Sequence, residues 1–190
     1  MPEQTTRRIL GVDPGTNVLG YAVIEALGRK QVRLLTLNVL NLPAGDSPYD
    51  KLKQIYDCIQ QVIAQYAPTE MAIEAPFYGK NVQSMLKLGR AQGVAIASAM
   101  AKGLSVEEYQ PRKVKQSVTG RGNASKEQVA AMLSVQMGIA NGAHALDATD
   151  ALAVALCHFY QNDTGNGGGS GKNKRYSNWG DYLRDNPEKK

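Results

Sequence analysis

The chain has 190 residues, 43% of them hydrophobic, and a net charge of +5, as expected of one globular domain with a sizeable core. No apolar run approaches the ~20 residues of a membrane-spanning helix, and Met1-Pro2-Glu3-Gln4-Thr5-Thr6-Arg7-Arg8 contains no secretory apolar region, so a cytoplasmic location is expected. Cys58 and Cys157 form no CxxC pair, and His144 and His158 have no cysteines at zinc-finger spacing, which argues against a structural zinc site.

In chain order, Arg8 to Asp13 reads as an apolar strand, Pro14-Gly15-Thr16-Asn17 as a turn, Val18 to Glu25 as a second strand and Gln31 to Leu40 as a third. The short turn predicts a hairpin that the third strand extends as a meander. Ser47 to Tyr66 predicts a helix, with Leu52, Ile55, Tyr56, Ile59 and Ile63 at core-facing spacing. Glu70 to Glu74 is a short buried strand stopped by Pro76. Asn81 to Lys102 reads as a helix whose Ala and Gly content suits close packing, including against another subunit.

Leu104 to Tyr109 is a fifth strand, and Pro111 to Val118 a helix with proline in its first turn. Ser125 caps another helix, with Gln128 three residues on in a capping-box pattern. A last helix covers about Ala145 to Tyr160, before the flexible linker Gly165-Asn166-Gly167-Gly168-Gly169-Ser170-Gly171. The order βββαβαβααα predicts an α/β fold with a five-stranded mixed sheet flanked by helices.

The positive charge is concentrated. Lys80, Lys87, Arg90, Lys102, Arg112, Lys113, Lys115, Arg121 and Lys126 face only Glu107 and Glu108 over the same stretch. Such a concentration is what contact with nucleic-acid phosphates requires.

Carboxylates stand where core residues would otherwise belong. Asp13 ends the run Ile9-Leu10-Gly11-Val12, and Glu74 ends Met71-Ala72-Ile73. Two neighbouring parallel strands would each present an acid at the carboxyl end, where α/β sheets bind ligands. Asp147 and Asp150 open a helix that is otherwise strongly apolar. Their i, i+3 spacing puts both on one face, and the helix N-terminus eases their charge. Asp13 alone would pass as a turn former before Pro-Gly, and Asp147 or Asp150 alone as a helix-start acid. Glu74 has no comparable local explanation. Four acids at one sheet edge repel unless a cation lies among them, and hard oxygen ligands point to Mg²⁺. Two such ions can activate a water and stabilise the departing oxygen of a phosphodiester.

At this point the sequence resembles the RuvC family of bacterial Holliday-junction resolvases. The blocks are Arg8-Ile9-Leu10-Gly11-Val12-Asp13-Pro14-Gly15-Thr16 and Met71-Ala72-Ile73-Glu74-Ala75-Pro76-Phe77, the latter followed by Asn81-Val82-Gln83-Ser84 and Leu88-Gly89-Arg90-Ala91-Gln92-Gly93. Val114-Lys115-Gln116-Ser117-Val118-Thr119-Gly120, with Gly122 and Lys126, and Asp147-Ala148-Thr149-Asp150-Ala151-Leu152-Ala153 complete the match from about Arg8 to Tyr160.

The resemblance implies an RNase H-like fold over residues 1–160, while by composition 161–190 reads as a Gly-rich, basic, disordered tail. It implies a homodimer that resolves four-way junction DNA by paired symmetric nicks, leaving 5′-phosphate and 3′-hydroxyl ends. Asp13, Glu74, Asp147 and Asp150 align with catalytic metal-binding carboxylates. These would hold two Mg²⁺ per subunit, with Mn²⁺ as a substitute. Lys115 and Lys126 align with functional lysines, and Phe77 with an aromatic that contacts a base. Some relatives carry His at the position of Asp147; here the set is all-carboxylate.

A branch-migration complex of RuvA and RuvB is implied as partner. Lys80, Asn81, Arg90, Arg112 and Arg121 are further DNA-contact candidates. Read without the resemblance, Phe77 would serve equally as core and the lysines as solvated side chains. Three alternatives remain: an actin-like ATPase or sugar kinase sharing the Asp-x-Gly-Thr loop, an inactive junction-binding module, and an RNase H-like nuclease acting on RNA. The first needs a second domain. The intact acid set speaks against the second, and the Asp13-Pro14-Gly15 and Lys115-Gln116 blocks against the third.

Overall fold

The computed structural model describes residues 6–28, 31–76, 81–139 and 145–163. Ten elements follow in order: β1 (Arg8–Asp13), β2 (Val18–Gly28), β3 (Gln31–Asn41), α1 (Pro48–Tyr66), β4 (Glu70–Glu74), α2 (Val82–Met100), β5 (Ser105–Tyr109), α3 (Pro111–Thr119), α4 (Lys126–Met137) and α5 (Leu146–Asp163). The sheet order is β3-β2-β1-β4-β5. β1, β2 and β3 form the expected antiparallel meander. β4 returns parallel beside β1, and β5 parallel beside β4. The five-stranded mixed sheet with helices on both faces is thus what the chain builds. β2 runs three residues past Glu25, because its pairing with β3 continues through a register shift between Ala26 and Gly28.

Strand alternation divides the core. Leu10 and Val12 of β1 pack with α1 and α2 residues such as Ile55, Ile59, Ala95 and Ala99. Ile9 packs with α3, α4 and α5 on the other face. α5 is the central element there. Every residue from Ala148 to Phe159 is buried except Asp150, which is half-buried. A helix apolar all round must be covered on all sides, and β1 and β2 cover α5 on one side while α3 and α4 cover it on the other.

Two strand glycines set how closely α5 approaches. A Cβ added at Gly11 would lie 2.2 Å from the Ala151 carbonyl oxygen, and one at Gly20 would lie 1.9 Å from that of Asp147. The helix backbone therefore rests directly on the sheet, an approach that only glycine permits.

The other end of α5 is tied by a polar network. Glu70 accepts from Arg7 Nε at 2.7 Å and Arg7 Nη2 at 2.9 Å, and lies 2.6 Å from His158 Nε2. His158 Nδ1 is 2.8 Å from the Tyr109 hydroxyl. Burial would raise the Glu70 carboxyl, but hydrogen bonds from His158 and Arg7 outweigh it and hold it at about 2. The carboxylate can only accept, so Nε2 donates to it and, in the neutral ring, Nδ1 accepts from Tyr109.

Caps fix where the helices begin. Ser47 and Asn81 each accept from a backbone N–H of the first turn, Ser125 forms the expected box with Gln128, and Pro111 opens α3. Both cysteines are free. No described helix is long and apolar enough to cross a membrane.

Candidate active site

The acids meet at the carboxyl ends of the two central parallel strands. β1 and β4 pair with Val12 opposite Ile73, so Asp13 and Glu74 leave the sheet side by side one residue later. Gly11 faces α5, and alternation turns Asp13 the same way. α5 delivers the other two acids. Its first turn sits over Gly20, which places Asp147 and Asp150 beside Asp13. Ligand oxygens of Asp13, Asp147 and Asp150 all lie within 4.8 Å of one another. Glu74 is not a member of that triplet but borders it.

The electrostatics reflect this crowding. Burial, then the charges of Glu74 and Asp150, push the Asp13 carboxyl up to about 8, against the opposing charge of Lys126. Burial and the charge of Asp150 push Glu74 up to about 7, with Lys126 and Lys115 pulling the other way. Asp150 is also raised, chiefly by burial, despite its bond to Lys126.

Lys126 supplies the compensating cation. Its Nζ lies 2.5 Å from Asp150 Oδ2 and 3.6 Å from Asp147 Oδ1. Burial would lower this ammonium, but the Asp150 bond and the surrounding carboxylates outweigh it and push it up to about 12. The capping box at Ser125 positions Lys126 at the start of α4, pointing into the acids. Lys115, half-buried on α3, adds positive potential at Glu74 and Asp150.

The remaining candidates are more spread out. Arg112 on α3 is exposed, with its stem lying across Gly122. Arg121 is exposed in the loop before α4, where its backbone N–H bonds the Thr119 hydroxyl. Asn81 caps α2 and bonds the Ser84 amide at 3.1 Å. Arg90 is exposed on α2 and lines a cavity on the sheet face away from α5. Phe77 and Lys80 lie outside the described residues, as do residues 164–190.

Sequence reasoning did not single out Gly11 and Gly20, whose missing side chains seat the α5 acids. Their signal was present, since glycine inside an apolar strand marks a close backbone approach.

The donor set suits a hard divalent ion. It is all oxygen, it is partly desolvated, and an ammonium already sits at its edge. A basic flank adjoins an acidic cluster, the pairing needed to hold and cut a phosphodiester.

Comparison with known proteins agrees with this geometry. The family model described as "Crossover junction endodeoxyribonuclease RuvC" matches residues 9–158. The Cytophaga hutchinsonii protein of that description is 52% identical over 188 residues, covering 99% of this chain and 90% of the relative. The Porphyromonas gingivalis one is 49% identical over 187 residues, covering 96% of each. Among solved structures, Thermus thermophilus RuvC in complex with Holliday junction substrate is similar with a TM-score of 0.78 at 30% identity, over 84% of this chain and 96% of that one. The yeast mitochondrial Holliday junction resolvase Ydc2 shares the fold, with a TM-score of 0.64 at 15% identity, over 83% of this chain and 80% of that one.

Proposed function

The chain belongs to the RuvC family of crossover junction endodeoxyribonucleases, and from that premise we propose how its own residues do the cutting. It hydrolyses phosphodiester bonds of Holliday-junction DNA, in recombination and repair. In our reading Asp13, Glu74, Asp147 and Asp150 together hold two Mg²⁺ ions per subunit, with Mn²⁺ as a substitute. When bound, the ions supply an activated water and stabilise charge on the leaving oxygen, giving 5′-phosphate and 3′-hydroxyl ends.

The chain's own part is to gather the charge and aim the strand. The sheet ends fix Asp13 and Glu74, and the Gly11 and Gly20 contacts fix Asp147 and Asp150. Lys126 offsets the carboxylate charge and, with Lys115, draws the scissile phosphate to an otherwise repulsive site. Phe77, Lys80, Asn81, Arg112 and Arg121 follow the strand on either side, with Phe77 stacking on a base. Arg90 contacts DNA from the far face.

Paired symmetric nicks need two copies related by a two-fold axis. α2 offers a surface for this. Its exposed stripe of Val82, Leu86 and Met100 is interrupted by Gly89 and Gly93, each with open space where a side chain would be. The opposite face, with Ala91, Ala95 and Ala99, is buried within the subunit. The cytoplasm is the expected site of action, with RuvA and RuvB as branch-migration partners. The nuclease domain runs to the end of α5 at Asp163, three residues past the boundary expected at 160, because the helix continues through Gln161 and Asn162.

The observation that carries this reading is the triplet of carboxylates within 4.8 Å where the end of β1 meets the first turn of α5, met by Lys126. Asp13→Asn tests it. Cleavage of a junction in Mg²⁺ should be abolished while junction binding is kept or strengthened, because Asn can neither ligate the metal as a carboxylate nor ionise and repel the phosphate. Cutting at the wild-type rate would show that the acids are assigned wrongly.

A further inference from the structure

On the sheet face opposite the acids, a cavity of about 420 Å³ opens between the β1–β2 turn and the N-terminal ends of α1 and α2. Its floor is apolar and well buried, with Leu42, Ile55 and Ala91. Its rim is cationic, with Lys51, Lys87 and Arg90. Among the described residues neither Lys87 nor Arg90 has an ion-pair partner, and the one acid on the lining, Asp46, accepts from Gln54 at 2.6 Å. Polar edges come from Asn17 and from the Ser84 hydroxyl. Lys51 Nζ is held only loosely, 3.3 Å from the Thr16 carbonyl and 3.4 Å from Asn17 Oδ1.

An apolar floor beneath a rim of unpaired cations matches a planar ring carrying a phosphate. The volume falls in the range of pockets for small organic ligands. We propose that this cavity receives one unstacked nucleotide of the junction strand. Its base would lie over Leu42, Ile55 and Ala91, its phosphate would lie between Lys87 and Arg90, and its polar edge would meet Asn17 and Ser84. The inference rests on the junction-cutting reading and extends it to base selection.

Position favours a nucleotide of the bound strand. The wall of the cavity is Gly15-Thr16-Asn17, the turn that Asp13 begins. Four residues reach at most about 14 Å, so the mouth lies near the part of a strand that is seated at Asp13. The bases at a crossover are the least costly in a junction to unstack, because their stacking is already interrupted. A site reading one such base would make cutting depend on sequence at a fixed distance from the scissile bond. Every base has a ring face for the floor, so discrimination would come from Asn17 and Ser84, whose amide and hydroxyl meet hydrogen-bonding groups that differ between bases.

The test uses the full-length protein with Ca²⁺ in place of Mg²⁺, and junctions carrying 2-aminopurine at successive positions around the crossover. Fluorescence should rise several-fold on binding at one position. Ala44→Trp, which fills the exposed rim of the cavity, and Lys87→Gln, which removes one of the two phosphate contacts, should each remove that rise while the junction still binds. With Mg²⁺, the two variants should cut junctions of different sequence more evenly than wild type. An unchanged rise in both variants would overturn the proposal, as would the lack of any rise in a wild-type protein that cuts junctions normally. Saturable binding of free deoxynucleoside monophosphates without any junction signal would overturn the strand as source. A wild type that neither binds nor cuts junctions would instead refute the junction reading itself.

Discussion

Gly20→Ala should disable the site without touching any acid. The new Cβ would lie 1.9 Å from the Asp147 carbonyl oxygen, and real Cβ contacts essentially stop at 3.0 Å, so the gap must open by about 1.1 Å. The obstacle is helix backbone and not a side chain that can turn aside, so the first turn of α5 has to retreat. Asp147 and Asp150 ride on that turn and would leave Asp13 by a similar amount. Displacements near 1 Å cost roughly 100-fold in rate where reacting groups must be aligned, and the overpacking costs about 1–3 kcal/mol of stability. Single-turnover cleavage of a junction at saturating Mg²⁺, read beside thermal unfolding, separates the two effects. Gly45→Ala is the control, since nothing lies within 4 Å of its added Cβ. A Gly20→Ala protein that is folded and cuts at the wild-type rate would refute the claim that strand glycines set the metal site.

The crowded acids give the metal-free protein a definite pH response. Asp13 at about 8 and Glu74 at about 7 stand above their ordinary values of 3.8 and 4.5, so across that range the folded state binds more protons than the unfolded chain. Stability in EDTA should therefore fall as pH rises from about 4 through about 8. Thermal unfolding should show a smaller decline in Asp13→Asn, and Mg²⁺ should stabilise wild type more at the alkaline end. His158→Leu leaves the Tyr109 hydroxyl without its acceptor and Glu70 without one donor, for a loss of about 1–3 kcal/mol. It should lower Tm by several degrees while cleavage at room temperature persists. Leu86→Glu places a charge in the exposed stripe of α2; if that stripe forms the proposed two-fold seam, sedimentation should show a dimer for wild type and monomers for the variant.

The sequence revealed the acids for a physical reason. Each carboxylate interrupts a strongly apolar run, at the end of β1, the end of β4 and the start of α5, and such interruptions stand out by composition alone. The order of the first four strands was legible because a short turn forces an antiparallel hairpin, and an intervening helix allows β4 to return parallel. The depth at which α5 is packed was not legible, since no local pattern tells which helix a glycine-bearing strand will meet. The partnership of Glu70 with His158 was hidden for a related reason. The residues are 88 positions apart, and each alone reads as an ordinary surface or core side chain. Lys126 was identifiable only through the resemblance. Its pairing with Asp150 depends on how α4 lies against α5, which the capping box begins but tertiary packing completes.

The most direct test of the whole account is cleavage of a synthetic mobile four-way junction beside a linear duplex, with and without Mg²⁺. The account predicts paired symmetric nicks in the junction alone and only with the metal. Junction binding without cleavage in Mg²⁺, or equal cutting of linear duplex, would contradict it.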